Sequence, residues 1–401
     1  MTQKLWQKFF LALAVTLACV YGVIGLPGSM EELRANLRER IKLGLDLKGG
    51  SHLILQVQIQ DATRSAADQT IGRLRADLSA QEIAYTSIER NDPQDVKEAD
   101  SIQITVSGVP VDRTSDFRAT IEQTFPNWLL SPVDSATWRL RMRPSALAAL
   151  KGNTVTQSIA TIENRVNGLG LTEPVIQQHG RADAEYEILV QLPGVSDPQR
   201  VMEILQMTAL LEIQEVIDGP YLSRQGALTS RGGILPQNSE ILNYSTRRSG
   251  ELVNEWYLLN RTAVVSGRDL RNAQASRDPQ TNQWETGFSL SREAGRRFGD
   301  FTQAHIGDSL AVVLDNRIKN VASIESRINT EGRITGMGGQ QESSDLALVL
   351  RAGSLPASIE FLEERTVGAS LGADSIRQGV NSALLGMALI MLLMVIYYKR
   401  A

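Results

Sequence analysis

The stretch most suggestive of chemistry is GLDLKGGSHLILQV, residues 44–57, where Asp46, Lys48, Gly49 and Gly50 precede an alternating apolar run. A lysine beside two glycines has the composition of an anion cradle, because an ammonium and bare backbone N–H groups can face the same oxygens. Two features oppose that reading. The run after the glycines has the period of a strand, whereas phosphate sites gain most at a helix N-terminus. Asp46 would also repel an anion. The stretch therefore reads as the approach to a strand.

Other searches for chemistry end the same way. His52, His179 and His305 are far apart, with no H-x-x-x-H or Cys/His spacing that suggests zinc, so each reads as a surface or packing histidine. GLGLTEP, 168–174, places its glycines after a helix, the wrong order for a dinucleotide fingerprint. No G-x-x-x-x-G-K-[ST] loop occurs, and Gly232-Gly233 and Gly338-Gly339 read as turns. In WRLRMR, 138–143, Arg139, Arg141 and Arg143 alternate with Trp138, Leu140 and Met142; this is the wet face of an antiparallel strand rather than a phosphate surface. The formal charge of −4 argues against a nucleic-acid binder, and the single cysteine, Cys19, rules out a disulfide within the chain. No catalytic residue, cofactor or metal site is expected, and the chain is not read as an enzyme.

The elements that position these residues begin with two apolar segments. Residues 9–26 and 380–398 carry no charge and are about long enough to cross a bilayer. TLAC at 16–19 loosely resembles a lipoprotein cleavage site, but the apolar run continues through Val20, Tyr21, Val23 and Ile24, which fits an uncleaved anchor. Lys4 and Lys8 precede the first segment, and Lys399 and Arg400 follow the second. Both termini, 1–8 and 399–401, are thus expected in the cytoplasm and the intervening region on the opposite side. Neither span holds an ionisable residue that would suggest a proton path.

Between the spans, Leu53, Leu55, Val57 and Ile59 alternate as a strand, and 61–81 reads as a helix capped by Asp61. Further strands are expected at 101–107, 138–143, 185–192 and 209–217. A helix is expected at 154–167, with Gly168 at its C-terminus, and another after Asp197-Pro198. Together these suggest an α+β fold with a ferredoxin-like layer whose last strand is 209–217. Residues 218–255, rich in Gly, Ser, Asn and Pro, read as a boundary or long loop. Beyond it, strands are expected at 257–260 and 286–290, a helix near 291–305 capped by Ser291, and two strands around Asp315-Asn316 within 309–322.

In order along the chain stand GLDLKGG, ENRVNGLGLTEPVIQQHG (163–180), VQLPGV (190–195), LAVVLDNRI (310–318), LRAGSLPASI (350–359) and TVGASLGADSIRQG (366–379). This set resembles the SecD/SecF family of bacterial protein-export subunits, over nearly the whole chain. The resemblance implies a periplasmic stem and base at 27–217 and an inserted α/β head at 218–352. A return strand and connector would follow at 353–379. Family-motif positions of structural importance would be Asp46, Lys48, Gly49, Gly50, Glu163, Arg165, Gly170, Glu173, Pro174, Pro193, Gly194, Gly368 and Gly372. Hinges between head and base would lie at Glu215 and Gly219, and at Gly353 and Pro356. Implied partners are SecF, the SecYEG channel, unfolded preprotein and membrane lipid, with YajC and YidC as further candidates and no nucleic acid. Proton motive force in the inner membrane would drive head movement.

The chain departs from the family in three places. Ala369 and Ser323 stand where prolines are usual. Family members usually carry six spans, with a functional Asp in a later one; this chain is expected to stop after two, without that carboxylate. A small-molecule exporter subunit of the RND type and a passive membrane-anchored chaperone are the competing readings.

Overall fold

The computed structural model describes residues 49–400 apart from 172, 182–184, 196, 234, 237, 249–250, 280 and 368, together with 14–15, 21, 29 and 32. Most of the first expected span, and Asp46, Lys48 and Gly368, lie outside the described residues. The chain divides into two compact units: residues 52–191 with 197–365, and residues 1–51, 192–196 and 366–401.

The larger unit begins within β1, Gly50–Val57, whose alternation buries Leu53, Leu55 and Val57. The strand stops there, and helix α1, Ile59–Ala80, begins two residues earlier than expected. Asp61 is therefore not its cap. Its carboxylate instead pairs with Arg64 and accepts from the Ser358 backbone N–H at 3.1 Å.

After α1 come β2 (Ser87–Arg90), β3 (Gln103–Ser107), α2 (Thr114–Thr124), β4 (Trp128–Pro132) and β5 (Thr137–Met142). The four strands form an antiparallel sheet in the order β2-β3-β5-β4. Leu74 and Leu78 of α1, Ile104 of β3, Phe117 and Ile121 of α2, and Trp138 and Leu140 of β5 share one apolar core. This first lobe leaves Arg141 exposed and Arg139 half-buried, the wet side expected of β5.

Helix α3, Pro144–Gly168, starts ten residues before the expected 154, because Pro144 occupies its first turn and Ala146–Leu150 continue the helix with strong helix formers. Next come β6 (Val175–His179), β7 (Glu187–Pro193) and α4 (Pro198–Gln206). The Asp197 side chain caps α4 by accepting from the Arg200 N–H, as the Asp-Pro pair predicts.

The expected fourth strand of this layer departs instead. β8, Leu211–Tyr221, joins a second sheet with elements that follow it: α5 (Arg224–Thr229), β9 (Ser239–Arg248), β10 (Glu251–Asn260) and β11 (Val265–Ser266). The stretch read as loose is thus largely strand. Then come β12 (Leu270–Arg277), β13 (Trp284–Leu290), α6 (Arg292–Ala304), β14 (Ser309–Leu314), β15 (Arg317–Ser323), β16 (Glu331–Ile334) and α7 (Gln340–Ala352).

Strands β10-β9-β15-β14-β8 close on themselves, since β10 also pairs with β8. Tyr257, Leu259, Ala311, Val313 and Ile318 cluster together in this closed sheet. The β14–β15 turn needs positive φ at Asp315 (50°) and Asn316 (61°), which these residue types tolerate. A separate sheet, β12-β13-β16, shares a core with α6 and α7 that includes Phe288, Phe298, Ile334 and Val349.

The fourth strand beside β1 is β17, Ile359–Val367, giving the order β17-β1-β7-β6.

In the smaller unit, Gly49 (φ 70°) and Gly50 (φ 140°) take backbone conformations that side chains disfavour, and Gly49 O accepts from Gly194 N–H at 2.8 Å. Helix α8, Ala369–Arg400, carries an apolar stretch, Asp374–Met394, long enough to cross a membrane. Gly372 lies in its first turns.

Candidate functional site: a double crossing clamped by Arg165

The segment β8–α7 interrupts the α4–β17 connection, so the chain leaves and re-enters at two crossings, residues 207–210 and 353–358. The crossings are bonded to one another: Leu355 N–H donates to Thr208 O at 2.9 Å. Arg165, from ENRVNG, stands between them and is fully buried. Its position follows from the stripe Thr154, Ser158, Thr161, Ile162, Arg165 and Val166 on the buried side of α3.

The guanidinium is spent on backbone carbonyls. Nη1 donates to Ile204 O (2.9 Å), Leu205 O (3.0 Å) and Met207 O, and Nη2 to Gly353 O (3.2 Å). Ile204 and Leu205 close α4, and Gly353 (φ 97°) is the C-cap of α7. One cation thus serves two helix C-termini, where unpaired carbonyls and the helix dipole both favour positive charge. Burial pushes the Arg165 pKa down to about 10, while Asp315 pulls the other way. The charge is retained at any physiological pH.

Asp315 ties the tip of the β14–β15 turn to the outgoing crossing. Its Oδ1 accepts from Leu210 N–H at 2.9 Å and from the Thr208 hydroxyl. Arg200 of α4 makes two hydrogen bonds to Asp345 of α7, at 2.7 and 3.3 Å, which raises the arginine's pKa. Packing completes the junction. A Cβ on Gly168 would come 3.1 Å from Leu348 of α7, and Leu169 and Met207 pack on the core of the inserted lobe.

Of the residues singled out in the sequence, the structure brings Arg165 and Gly353 into contact and sets Pro356 in the returning crossing. Glu163 is exposed on α3; Gly170 (φ 74°), Glu173 (φ 58°) and Pro174 form the turn after it. Pro193 ends β7, and Gly194 (φ 74°) follows. Glu215 and Gly219 lie inside β8, where Glu215 faces Leu310 of β14, so they belong to sheet and not to a loop. Thr208, Asp315, Arg200 and Asp345 were not found from sequence; Asp315 showed only as a turn residue.

Folded lobes, one of them interrupting another through a clamped double crossing, and a following helix long and apolar enough to cross a membrane define a multi-lobed α/β protein. The family models for the SecDF P1 head subdomain and for the N-terminal P1 domain of protein translocase subunit SecDF match residues 239–357 and 155–218. Protein translocase subunit SecD of Koribacter versatilis is 42% identical over 405 residues, covering 100% of this chain and 74% of its own length. SecD of Desulfurispirillum indicum is 32% identical over 403 residues, covering 100% and 73%. A crystal structure of SecDF in a super-membrane-facing form is 23% identical, covering 98% of this chain and 39% of that one, with a TM-score of 0.46. The chain belongs to the SecD family of protein translocase subunits. It is an accessory subunit of Sec protein translocation, and its family gives no support to the exporter or passive-chaperone readings.

Proposed function

We propose that residues 211–352 form a periplasmic head that moves on a base, and that this movement helps draw exported polypeptide through the Sec channel. The observation that carries the reading is the double crossing, the two covalent connections of the head, gathered on Arg165. The base is read as ferredoxin-like. In support, β1, α3, β6, β7, α4 and β17 run β-α-β-β-α-β, with the sheet order of fourth, first, third and second strand. The first lobe and the head are then two insertions into that frame.

In this reading the hinges are 207–210 and 353–356, with Gly353 and Pro356 on the return side; Glu215 and Gly219 travel with the head. Asp46, Lys48, Gly49, Gly50, Pro193, Gly194, Gly368 and Gly372 are proposed as structural positions of the family motifs. Glu163, Gly170, Glu173 and Pro174 shape the turn beside the clamp. SecF and SecYEG are the proposed partners, with YajC and YidC as further contacts. Proton motive force is the proposed energy source, and both termini are placed in the cytoplasm. A head cavity of about 1190 Å³, lined by Tyr244, Trp284, Ile318, Lys319 and Met337 among others, mixes apolar and polar walls suited to varied unfolded chains.

The test is a tether across the junction. In a chain with Cys19→Ser, cysteines replacing Arg200 and Asp345 are joined by a short bifunctional crosslinker, and export is measured in inverted vesicles carrying the whole translocase. Movement predicts that crosslinking halts the proton-dependent part of export and that a cleavable linker restores it. Undiminished export with the tether closed would sink the moving head.

A further inference from the structure

The inserted lobe brings together three side chains that the sequence keeps apart. Glu215 of β8, His305 at the C-cap of α6, and Asp308 just before β14 each present one ligand-type atom, and these atoms lie within 4.8 Å of one another. We propose that they form a binding site for a divalent transition-metal ion, zinc foremost.

The backbone holds the three donors from different directions. Glu215 pairs with Leu310, so Asp308 is its diagonal neighbour across the β8–β14 ladder. The His305–Asp308 turn is closed by Asp308 N–H to His305 O at 3.2 Å. It is also tied to the end of β15 by Ile324 N–H to Asp308 O (2.8 Å) and Gly307 N–H to Ile324 O (2.9 Å). Gly307, at φ 99°, allows the chain to reverse between the histidine and the aspartate.

The imidazole is already set for ligation. Its Nδ1 lies 2.9 Å from Phe301 O, and a carbonyl only accepts, so Nδ1 carries the proton and Nε2 keeps its lone pair. The ring also stacks on Phe301 at 4.1 Å and 13°. A carbonyl on the far nitrogen is the usual outer partner of a metal-bound histidine, fixing tautomer and ring plane. Glu215 has a comparable second partner, since its Oε2 accepts from Asn260 Nδ2 at 3.2 Å.

Donor chemistry selects the ion. One imidazole with two carboxylates suits zinc and its neighbours, whereas calcium and magnesium prefer oxygen ligands alone. Two carboxylate charges match a divalent cation. Three protein ligands leave a fourth position for water or for a group on a partner. The ion would pin α6, β14 and the middle of β8 together, at a point where β8 passes from pairing with β14 to pairing with β10.

The test uses the full-length chain in detergent, stripped with a chelator, then titrated with zinc by calorimetry and with cobalt by visible absorption. The proposal expects one zinc per chain, a tetrahedral cobalt spectrum and a zinc-dependent rise in thermal midpoint. His305→Gln and Asp308→Asn should each weaken zinc binding at least about tenfold. A His52→Gln/His179→Gln double variant should bind as the parent does. No stoichiometric zinc binding would overturn the proposal, as would binding unchanged in both His305→Gln and Asp308→Asn. So would calcium binding as tight as zinc and indifferent to His305, which would mark the carboxylates as ordinary counter-ion sites. If His305→Gln misfolds, the exposed Asp308→Asn variant decides alone.

Discussion

The first lobe and the double crossing are held together by opposite means. In the lobe, two helices cover one face of a four-stranded sheet, and its core is a closed apolar set around Phe117, Ile121, Trp138 and Leu140. Its charges sit outside: Arg90 joins Asp68 and Asp92, and Arg64 joins Asp92, all with exposed or half-buried partners. At the crossing the cation is inside and its partners are backbone carbonyls contributed by two helix ends. Apolar burial is non-directional and tolerates small shifts. A buried guanidinium fixes specific atoms in specific places and costs heavily when those partners are removed. The lobe is thus built to stay folded, and the crossing to keep its two connections in register with each other.

Truncating the lobe core should give the largest effect. Phe117→Ala removes a fully buried ring and should cost about 3–5 kcal/mol, read from denaturant unfolding of the lobe. The crossing should be untouched, so limited proteolysis at 207–210 and 353–356 should match the parent. Cleavage there in Phe117→Ala would mean that the two regions are one cooperative unit. Conversely, Arg165→Met leaves up to four carbonyls without their donor and should cost about 3 kcal/mol. Proteolysis should open both crossings while the lobe keeps its unfolding midpoint. Arg165→Lys should recover only part of the loss, because an ammonium lacks the planar fork that reaches both helix ends.

The same contrast governs what could be read from the sequence. Alternation reports which face of a strand is buried, so β1, β3 and β5 were legible from Leu53/Leu55, Ile104/Val106 and Trp138/Leu140. Side-chain caps were legible too, at Asp197 and Ser291, because their donors lie three residues away. Alternation does not report partners. Residues 209–217 have the pattern of a fourth strand for the β1 sheet, yet β17, far beyond that segment in the chain, takes the place. Residues 239–248 looked like loop because Asn243, Ser245 and Thr246 are the polar residues of a strand, not of a linker. Arg165 was named through a motif, but its role was not visible. An arginine on the buried side of a helix needs buried acceptors, and those of Arg165 lie about 40 and 188 residues away. Asp345 and Asp315 were hidden for the same reason: long-range pairing leaves no local period.

Acid should separate the head beyond the crossing from the first lobe, with the smallest effect and opposite signs. Burial and the neighbouring Glu240 charge raise the Glu212 pKa above its ordinary 4.5, with Gln214 opposing. Arg261 lies 3.9 Å from Glu240 and offsets part of that repulsion. A carboxyl whose pKa is raised on folding contributes stability that is full below its unfolded value and disappears as pH rises through its folded value. The head should therefore gain stability on acidification from pH 8 toward 4.5. In the lobe, Arg64 and Arg90 hold Asp92 below its ordinary 3.8, so its contribution is full above that value and is lost only at lower pH. The head also contains Asp218, lowered mainly through Tyr221 and then Arg231, which works in the same direction as Asp92 and only at low pH. Between pH 8 and 4.5 the Glu212 contribution stands alone among these three. Glu212→Gln keeps an acceptor for Gln214 and removes the buried charge. Its head midpoint at pH 8 should rise by on the order of 2–4 °C and become flat across that window, while the lobe curve stays that of the parent. A head midpoint that keeps its pH slope in Glu212→Gln would place the titrating group elsewhere and remove the electrostatic half of the contrast.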